Sequence, residues 1–211
     1  FKDFINDSYG DKHKNIQMLK AIKENIDTQS FKLVLIFEDD VASSVESAYL
    51  KLNLLSHKKV KPREINLNGV FGILPNVAWS GSKPYSLDYL RDNEISLKCS
   101  GTYPNIDYVD KFPRYLDHII PEDNTRILES SKVRFGAYVS AGTTVMPGAS
   151  YINFNAGTLG VAMIEGRVSS SAIVGNGTDL GGGSSILGVL SGTDGNPISV
   201  GENCLLGVNS V

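Results

Sequence analysis

A carboxylate and a guanidinium flank a glycine at Glu165-Gly166-Arg167. In acyl transfer a carboxylate can act as nucleophile or as general base, and a guanidinium can bind a carboxylate through two parallel hydrogen bonds. The pair therefore suits acyl transfer, although a solvated surface corner would carry the same residues. Arg134 is a second candidate partner for a carboxylate, with an outward-facing surface charge as the simpler interpretation.

Two glycine-rich segments accompany this pair. Gly181-Gly182-Gly183 contains more glycine than one turn requires, and extra glycines suit the close approach of another backbone or of a ligand. A tight corner of the main chain would explain them equally well. Residues 188–196 form the second segment, which is typical of a lid or of a loop at a subunit border.

The three histidines are His13, His57 and His118, and none of them lies beyond residue 130. An acyltransferase with a histidine general base needs that residue near the reacting groups, and a zinc enzyme of the histidine-cluster type needs several. The sequence therefore disfavours both classes for the C-terminal part of these 211 residues.

A six-residue repeat, which must position these groups, runs from Val133 to the C-terminus. Each repeat has a small residue, any residue, an apolar residue and glycine, as in Val133-Arg134-Phe135-Gly136. Hexads of this kind are typical of a parallel β-helix, in which apolar side chains point inward and glycine occupies corners. The spacing breaks twice, so we expect segments 148–168 and 188–197 to protrude from the coil.

The N-terminal part lacks this repeat and predicts a small α/β domain with a linker over residues 1–130, ahead of a repeat domain over residues 131–211. Helices are indicated by apolar residues at helical spacing, and strands by apolar runs or by alternation. The expected elements are a helix over 12–27, a strand from Phe31 to Phe37, a helix capped by Ser43 or Ser44, a strand from Asn68 to Leu74, and a packed linker from Tyr103 to Pro121.

The composition is that of a globular protein, with 41% hydrophobic residues, 20% charged residues and a net charge of −3. This charge gives no reason to expect nucleic acid, and the longest apolar run, Leu33 to Phe37, is too short to span a bilayer. With two cysteines and no signal-peptide pattern, we expect a cytoplasmic protein without a disulfide. Because the repeat is interrupted at Val211, we also expect further coils beyond it.

Four motifs resemble the tetrahydrodipicolinate N-succinyltransferase family, and in particular its actinobacterial-type branch. The resemblance covers most of the chain from about residue 45 onward, and it is far more specific than the hexad alone. The motifs are NFNAGTLG at 153–160, IEGRVS at 164–169, DLGGGSSILG at 179–188 and NGVFGILPNVAW at 68–79.

The resemblance implies a fold and a reaction. The expected fold class is mainly β, a left-handed parallel β-helix of hexapeptide repeats preceded by a small α/β domain, assembled as a homotrimer. Family members transfer succinyl from succinyl-CoA to the amino group of L-2-amino-6-oxopimelate, the open form of tetrahydrodipicolinate, in diaminopimelate and lysine biosynthesis. The expected partners are these two small molecules and further copies of the chain, with no nucleic acid, no membrane and no permanently bound cofactor.

The resemblance also implies roles for individual residues. Glu165 corresponds to the catalytic acid, which is proposed to form an acyl anhydride, and the backbone N–H of Gly188 corresponds to the oxyanion donor. The residues alone leave open whether Glu165 is nucleophile or general base. Val208 departs from the small residue expected at its position. The positions that hold succinyl-CoA in relatives correspond to Arg167, Gly182, Ser185 and Val208.

Some relatives hold magnesium on the trimer axis through acidic residues. This chain has Ala149 and Ser150 around the expected acid, so we predict no such metal. A short stack of coils cannot enclose CoA and a dicarboxylate alone, so the site should lie between subunits, with Glu165 of one chain facing the Gly188 loop of another. Two alternatives remain open, acetyl transfer to the same acceptor and a non-catalytic β-helix scaffold.

Overall fold

The chain divides into two compact units, residues 1–35 and residues 36–211. The first unit contains helix α1 (Lys14–Asn25), which confirms the helix predicted over 12–27 within the described residues, since 12, 13, 26 and 27 lie outside them. No helix among the described residues is long and apolar enough to cross a membrane. The computed structural model of the chain describes residues 14–25, 34–189 and 193–211.

Helix α2 (Val45–Ser56) begins with a capping box at the predicted place. The Ser44 hydroxyl accepts a hydrogen bond from the Ser47 N–H at 3.1 Å, and the Ser47 hydroxyl accepts one from the Ser44 N–H at 3.0 Å. This reciprocal arrangement satisfies two donors that the start of a helix otherwise leaves unpaired. Leu52 and Leu55 are fully buried, which anchors the helix in the core.

Two strands predicted in the N-terminal part are wrong. Residues 34–37 form no strand and Phe37 is 89% exposed, while residues 31–33 lie outside the described residues. The segment from Asn68 to Leu74 contains instead the short helix α3 (Val70–Ile73). An apolar run becomes a strand only where another strand pairs with its backbone, and no described strand pairs with either segment.

A small antiparallel sheet follows, in which β1 (Val77–Ser80) lies between β2 (Lys83–Ser86) and β3 (Tyr108–Asp110). Two short helices, α4 (Leu87–Asp92) and α5 (Glu94–Cys99), connect β2 to β3 along the chain. None of the residues of α5 is buried, so this helix adds little to the core.

The segment from Tyr103 to Pro121, predicted as a packed linker, contributes to the core itself. It contains β3 and a 3-10 turn at Tyr115–Asp117. Phe112 and Tyr115 are fully buried, and the Phe112 ring stacks on the Phe154 ring of the repeat domain at 4.7 Å between centroids. The segment therefore joins the N-terminal part of the unit to the coil through packing.

The hexads form a parallel β-helix, as predicted. Its strands are two or three residues long and make three parallel sheets, one for each side of the coil. The strands are β4 (Arg126–Ile127), β5 (Tyr138–Val139), β6 (Thr144–Val145), β7 (Tyr151–Ile152), β8 (Gly157–Thr158), β9 (Ala162–Ile164), β10 (Arg167–Val168), β11 (Ile173–Val174), β12 (Thr178–Leu180), β13 (Ser185–Ile186), β14 (Ser199–Val200) and β15 (Leu205–Leu206).

Successive coils stack strand on strand. One side carries β7, β10 and β13, the second carries β5, β8, β11 and β14, and the third carries β4, β6, β9, β12 and β15. Inward side chains align in ladders, for example Val145, Ile164 and Leu180. Because β4 already pairs with β6, the coil begins before residue 131, while the domain boundary at 130/131 stays a prediction.

The first predicted protrusion, 148–168, is wrong, because this segment contains β7 to β10 and belongs to the coil. The spacing between inward residues changes at the corners instead. Ile152 follows Val145 by seven positions, and Val168 follows Ile164 by four. A corner can thus gain or lose residues while the flanking strands keep their places in the ladder.

The second predicted protrusion, 188–197, is confirmed over its described residues. Ile186 and Val200, the inward residues of β13 and β14, are 14 positions apart, whereas from Val139 to Ile186 successive inward residues are four to seven positions apart. The described residues between β13 and β14 form no strand, and residues 190–192 lie outside them. A loop therefore leaves the coil after Gly188.

We expect Gly157→Ala to separate β5 from β8. A Cβ at Gly157 would lie 1.8 Å from the carbonyl oxygen of Tyr138, and backbone cannot move aside as a side chain can. The substitution should lower the free energy of unfolding by about 3 kcal/mol in urea denaturation. Gly72→Ala is the control, because nothing lies within 4 Å of its added Cβ. Equal losses in the two variants would contradict the steric argument.

Candidate active site

Glu165 lies at the shortest corner of the described coil, where only Glu165 and Gly166 separate β9 from β10. A Cβ on Gly166 would lie 2.2 Å from Ser184 Oγ and 2.5 Å from the Ser184 carbonyl oxygen, so this position requires glycine. The Glu165 N–H donates to the Leu180 carbonyl at 3.0 Å, and Glu165 is partly exposed. The coil thus holds the backbone of Glu165 while its carboxylate remains accessible.

The triple-glycine corner, residues 181–184, lies on the next coil against Glu165. A Cβ on Gly182 would lie 3.7 Å from Glu165 Oε2, so the carboxylate adjoins this glycine. Gly183 has a φ of 74°, and a Cβ there would lie 2.3 Å from Asn209 Oδ1. Close approach of backbone and side chains therefore accounts for these glycines, and Gly182 is the one that borders the candidate site.

Arg167 and Ser185 are direct neighbours in the ladder between β10 and β13. The Arg167 Nε–H donates to Ser185 Oγ at 2.9 Å, while the rest of the exposed guanidinium points away from the core. Tyr151 pairs with Arg167 on its other side. The structure therefore brings the predicted binding residues Arg167, Gly182 and Ser185 together around Glu165.

Gly188 lies at the other end of β13 from the Glu165 corner. A Cβ on Gly188 would lie 2.8 Å from Ser169 Cβ, which places it against the corner that follows β10. Among the described residues its N–H has no hydrogen-bond acceptor. Val208 is 71% exposed, and its N lies 3.0 Å from where a Cβ on Gly181 would be. Within one chain, Val208 is thus near the triple glycine, whereas Gly188 is not beside Glu165.

A buried hydroxyl next to Glu165 has no partner. Ser184 is 1% exposed, and within the described residues its Oγ makes no hydrogen bond. One hexad earlier, Thr178 Oγ1 donates to the Gly201 carbonyl at 2.7 Å. Leaving a buried hydroxyl unpaired costs about 1–3 kcal/mol. Ser184 carries no signal in the sequence, because serine fits the small inward position of a hexad with or without a hydrogen-bond partner.

Arg134, the second candidate for a carboxylate ligand, is already paired within the chain. Its Nε and Nη2 donate to the two carboxylate oxygens of Asp110 at 2.9 and 3.0 Å, and its Nη1 donates to Asn153 Oδ1 at 3.2 Å. The guanidinium also lies over the Phe112 ring, 4.8 Å from its centroid. Arg134 is therefore neither a free ligand nor an outward-facing charge, and it ties Asp110 to the coil.

A crevice of about 290 Å³ opens beside this ion pair. One wall is the segment 108–114, and the opposite wall includes Ser131, Arg134 and Tyr151 of the coil side. Burial raises the pKa of the Tyr151 hydroxyl, and the carboxylate of Asp110 acts in the same direction against the opposing charge of Arg134. This crevice could not be predicted from the sequence, because its walls are distant along the chain and match no motif.

A second crevice, of about 770 Å³, lies near the Gly188 corner and includes Ser170 and Val189 in its lining. Arg63 ties one of its walls to the coil. The Arg63 Nε–H donates to the Ser171 carbonyl at 2.7 Å, and Nη2 donates to the Ile198 carbonyl at 2.6 Å. The segment around Arg63 therefore bridges two coils on the side where the loop after Gly188 leaves.

Two models of one protein family match successive parts of the chain. Tetrahydrodipicolinate N-succinyltransferase N-terminal matches residues 1–72, and tetrahydrodipicolinate N-succinyltransferase middle matches residues 74–114. The chain belongs to this family. The resemblance inferred from the motifs is therefore confirmed, and the matched regions lie upstream of the coil that carries Glu165.

Named members of the family agree closely with the chain. The 2,3,4,5-tetrahydropyridine-2,6-dicarboxylate N-succinyltransferase of Sulfurovum sp. is 65% identical over 212 residues, which cover 100% of this chain and 53% of that protein. The Campylobacter jejuni protein of the same name is 66% identical over 211 residues, covering 100% and 54%. A crystal structure from Campylobacter jejuni, titled as a putative 2,3,4,5-tetrahydropyridine-2-carboxylate N-succinyltransferase, has a TM-score of 0.82 and 66% identity, covering 92% of this chain and 51% of that one.

The chain spans about half the length of the curated relatives it matches. Assignment to the actinobacterial-type branch of the family stays a prediction. Within residues 14–25, 34–189 and 193–211, no group of three or more His, Cys, Asp or Glu side chains could hold a metal ion.

We expect Gly166→Ala to be far more damaging than Gly182→Ala, although both glycines border Glu165. The added Cβ of Gly166→Ala collides with Ser184, whereas that of Gly182→Ala meets Glu165 Oε2 at an ordinary 3.7 Å. Overpacking of this kind costs about 1–3 kcal/mol, which urea denaturation of both variants would measure. A Gly166→Ala variant as stable as Gly182→Ala would show that the corner is not tightly packed.

Proposed function

We propose that this chain carries the catalytic carboxylate of an acyltransferase that moves succinyl from succinyl-CoA to the amino group of tetrahydrodipicolinate in its open form, L-2-amino-6-oxopimelate. The step belongs to diaminopimelate and lysine biosynthesis. The proposal rests above all on one observation, the accessible Glu165 carboxylate at a corner that admits only glycine beside it. Family membership and the names of close relatives support the choice of substrates.

Glu165 has two possible roles in this reaction. As a nucleophile, a carboxylate oxygen bonds to the thioester carbonyl carbon, the C–S bond breaks and CoA leaves as the thiolate. The acceptor amine then attacks the resulting anhydride, loses a proton and regenerates the carboxylate. As a general base, Glu165 instead takes the amine proton while the amine attacks the thioester directly. Both routes yield the same amide and free CoA.

Arg167, Gly182 and Ser185 would hold succinyl-CoA in this proposal, with Val208 at the edge of the same region. Arg167 has an exposed guanidinium that is held in place by Ser185 Oγ. A guanidinium so oriented is suited to a carboxylate or a phosphate. Gly182 leaves space over the Glu165 carboxylate, which the acyl group needs in order to approach. No permanently bound cofactor takes part.

The oxyanion donor in the proposal is the Gly188 N–H of a neighbouring subunit in a homotrimer. Gly188 and Glu165 lie at opposite ends of β13 in one chain, so a single copy does not assemble both groups around one carbonyl. In a closed trimer, each of the three interfaces would bring the Glu165 corner of one copy against the Gly188 corner of the next copy. Because succinyl-CoA is a metabolite of the cell interior, the proposed enzyme works in the cytoplasm.

We expect the intact protein to release free CoA from succinyl-CoA only when the acceptor is present, in a coupled thiol assay. Glu165→Gln should lower turnover by about 100-fold or more, because it removes the nucleophile or base at nearly constant shape. Glu202→Gln, which alters an exposed carboxylate elsewhere on the coil, is the matched control. Near-normal turnover of Glu165→Gln would refute its role. A preference for acetyl-CoA over succinyl-CoA would contradict the proposed acyl donor. If neither thioester released CoA, both enzyme functions would be excluded and the non-catalytic scaffold would remain.

Subunit mixing tests where the site is assembled. Glu165→Gln protein and Gly188→Val protein should each be inactive, and exchange of their subunits should restore activity. Each intersubunit site takes Glu165 from one subunit and Gly188 from its neighbour. In an equal mixture of the two variants, random assortment in a closed trimer makes both residues intact in about one quarter of the sites. Mixed trimers that form, as shown by native mass spectrometry, yet remain inactive would place both groups in one chain.

A further inference from the structure

The crevice of about 290 Å³ lies on the same side of the coil as Glu165 and Arg167. Tyr151, which lines it, donates its N–H to the Gly166 carbonyl at 3.2 Å and pairs with Arg167 in the ladder. Neighbouring strands are about 4.8 Å apart. Tyr151, in one wall of the crevice, is therefore one strand spacing from Arg167, whereas Arg114 in the other wall pairs with Arg134, which lies on the far side of Tyr151 from Arg167.

The charged residues that line the crevice leave one cation without a counter-ion. They are Asp110, Arg114 and Arg134, and the last is balanced by Asp110 through two hydrogen bonds. The guanidinium carbon of Arg114 lies 4.3 Å from the Tyr108 ring centroid, and its Nη1 donates to Ser130 Oγ at 3.3 Å. The Nε and Nη2 atoms of Arg114 make no hydrogen bond with any described residue.

The carboxylates around Arg114 are themselves occupied. Asp117 Oδ2 accepts hydrogen bonds from the Tyr108 hydroxyl at 2.9 Å and from the Arg114 backbone N–H at 3.2 Å. Glu129 accepts a hydrogen bond from Ser131 and pairs with Lys132 at 3.6 Å, and these groups, together with the more distant charge of Arg114, lower its pKa. The free edge of the Arg114 guanidinium therefore remains available to an anion from outside the chain.

Tyr151 supplies a second free donor to the same crevice. Its hydroxyl makes no hydrogen bond with any described residue, although the side chain is largely buried. Burial raises the pKa of this hydroxyl, so it stays protonated at neutral pH and can donate. Arg114 and Tyr151 line the same small crevice, and a guanidinium edge with a hydroxyl is a donor set that suits a carboxylate.

We propose that this crevice binds a carboxylate of the amino acceptor, with Arg114 and Tyr151 as its ligands. The inference rests on the proposed function and extends it to a subsite for the acceptor. Relatives are named for a 2,6-dicarboxylate substrate, and such a molecule brings a carboxylate that needs a cationic partner. Arg134 does not serve, since Asp110 holds it, and Arg167 lies beside Ser185 in the region proposed for succinyl-CoA. A carboxylate held at Tyr151 would lie beside Arg167, on the side of the coil that adjoins the Glu165 corner.

Steady-state kinetics of Arg114→Gln and Tyr151→Phe in the intact protein test the subsite. The KM for the acceptor should rise about tenfold or more for Arg114→Gln and several-fold for Tyr151→Phe, because charge-assisted hydrogen bonds are the stronger ones. The KM for succinyl-CoA should change less than twofold in both. Tyr151→Phe keeps the shape of the side chain, so it decides the question even if Arg114→Gln fails to fold.

Lys132→Gln is the matched control for charge. Lys132 is a cation in the same region, but its ammonium donates to the Gly148 carbonyl and pairs with Glu129, and it does not line the crevice. Its loss should change the KM for the acceptor less than twofold. An equal rise for Lys132→Gln and Arg114→Gln would mean a general effect of surface charge and would overturn the subsite.

Calorimetric binding of pimelate in the presence of CoA separates this inference from the proposed function, because binding needs no turnover. Pimelate should bind the unmodified protein and bind Tyr151→Phe several-fold more weakly. Tyr151-dependent pimelate binding by a protein that transfers no succinyl would overturn the function and keep the subsite. Normal succinyl transfer, with the acceptor KM and the pimelate affinity unchanged in both variants, would keep the function and overturn the subsite.

Discussion

Backbone pairing between successive coils is the constraint on which the rest of the structure depends. The strands are two or three residues long, so none of them is stable alone, and each is held by the strands before and after it in the stack. The inward ladder of Val145, Ile164 and Leu180 must stay in register with the ladders on the other two sides. Any difference in length between coils is therefore confined to the corners. The two-residue corner at Glu165 is a consequence of that confinement.

The same constraint positions Glu165, the candidate catalytic residue. A short corner beneath a longer one brings Glu165 against Gly182 and removes the space for any side chain at Gly166. The same packing leaves the Ser184 hydroxyl buried without a hydrogen-bond partner among the residues that the structure describes. Stable folds rarely keep an unsatisfied buried group, and such groups cluster where function needs the local arrangement. The tight contacts also limit the positions that the Glu165 backbone can take, which favours a preorganised carboxylate.

The N-terminal part of the larger unit contacts the coil through hydrogen bonds and an ion pair as well as through apolar packing. The Arg134–Asp110 pair holds the segment 108–114 against the first coils, and Arg63 reaches across two coils on another corner. These contacts create crevices that a bare β-helix, with its flat sides, does not have. Binding groups for small charged molecules can therefore come from outside the repeat, while the repeat supplies the carboxylate.

The sequence by itself determined the features that depend on residues close together in the chain. The hexads predicted the parallel β-helix, the spacing of apolar residues predicted α1 and α2, and the motif around Glu165 indicated the family. Tertiary structure alone decided that 148–168 stays within the coil, because corner lengths follow from strand pairing between residues 16 to 19 positions apart. It also decided that Asn68 to Leu74 is not a strand, since no described strand pairs with it. Arg114 and Tyr151 line one crevice only because the chain folds back on itself, and local sequence carries no signal of that meeting.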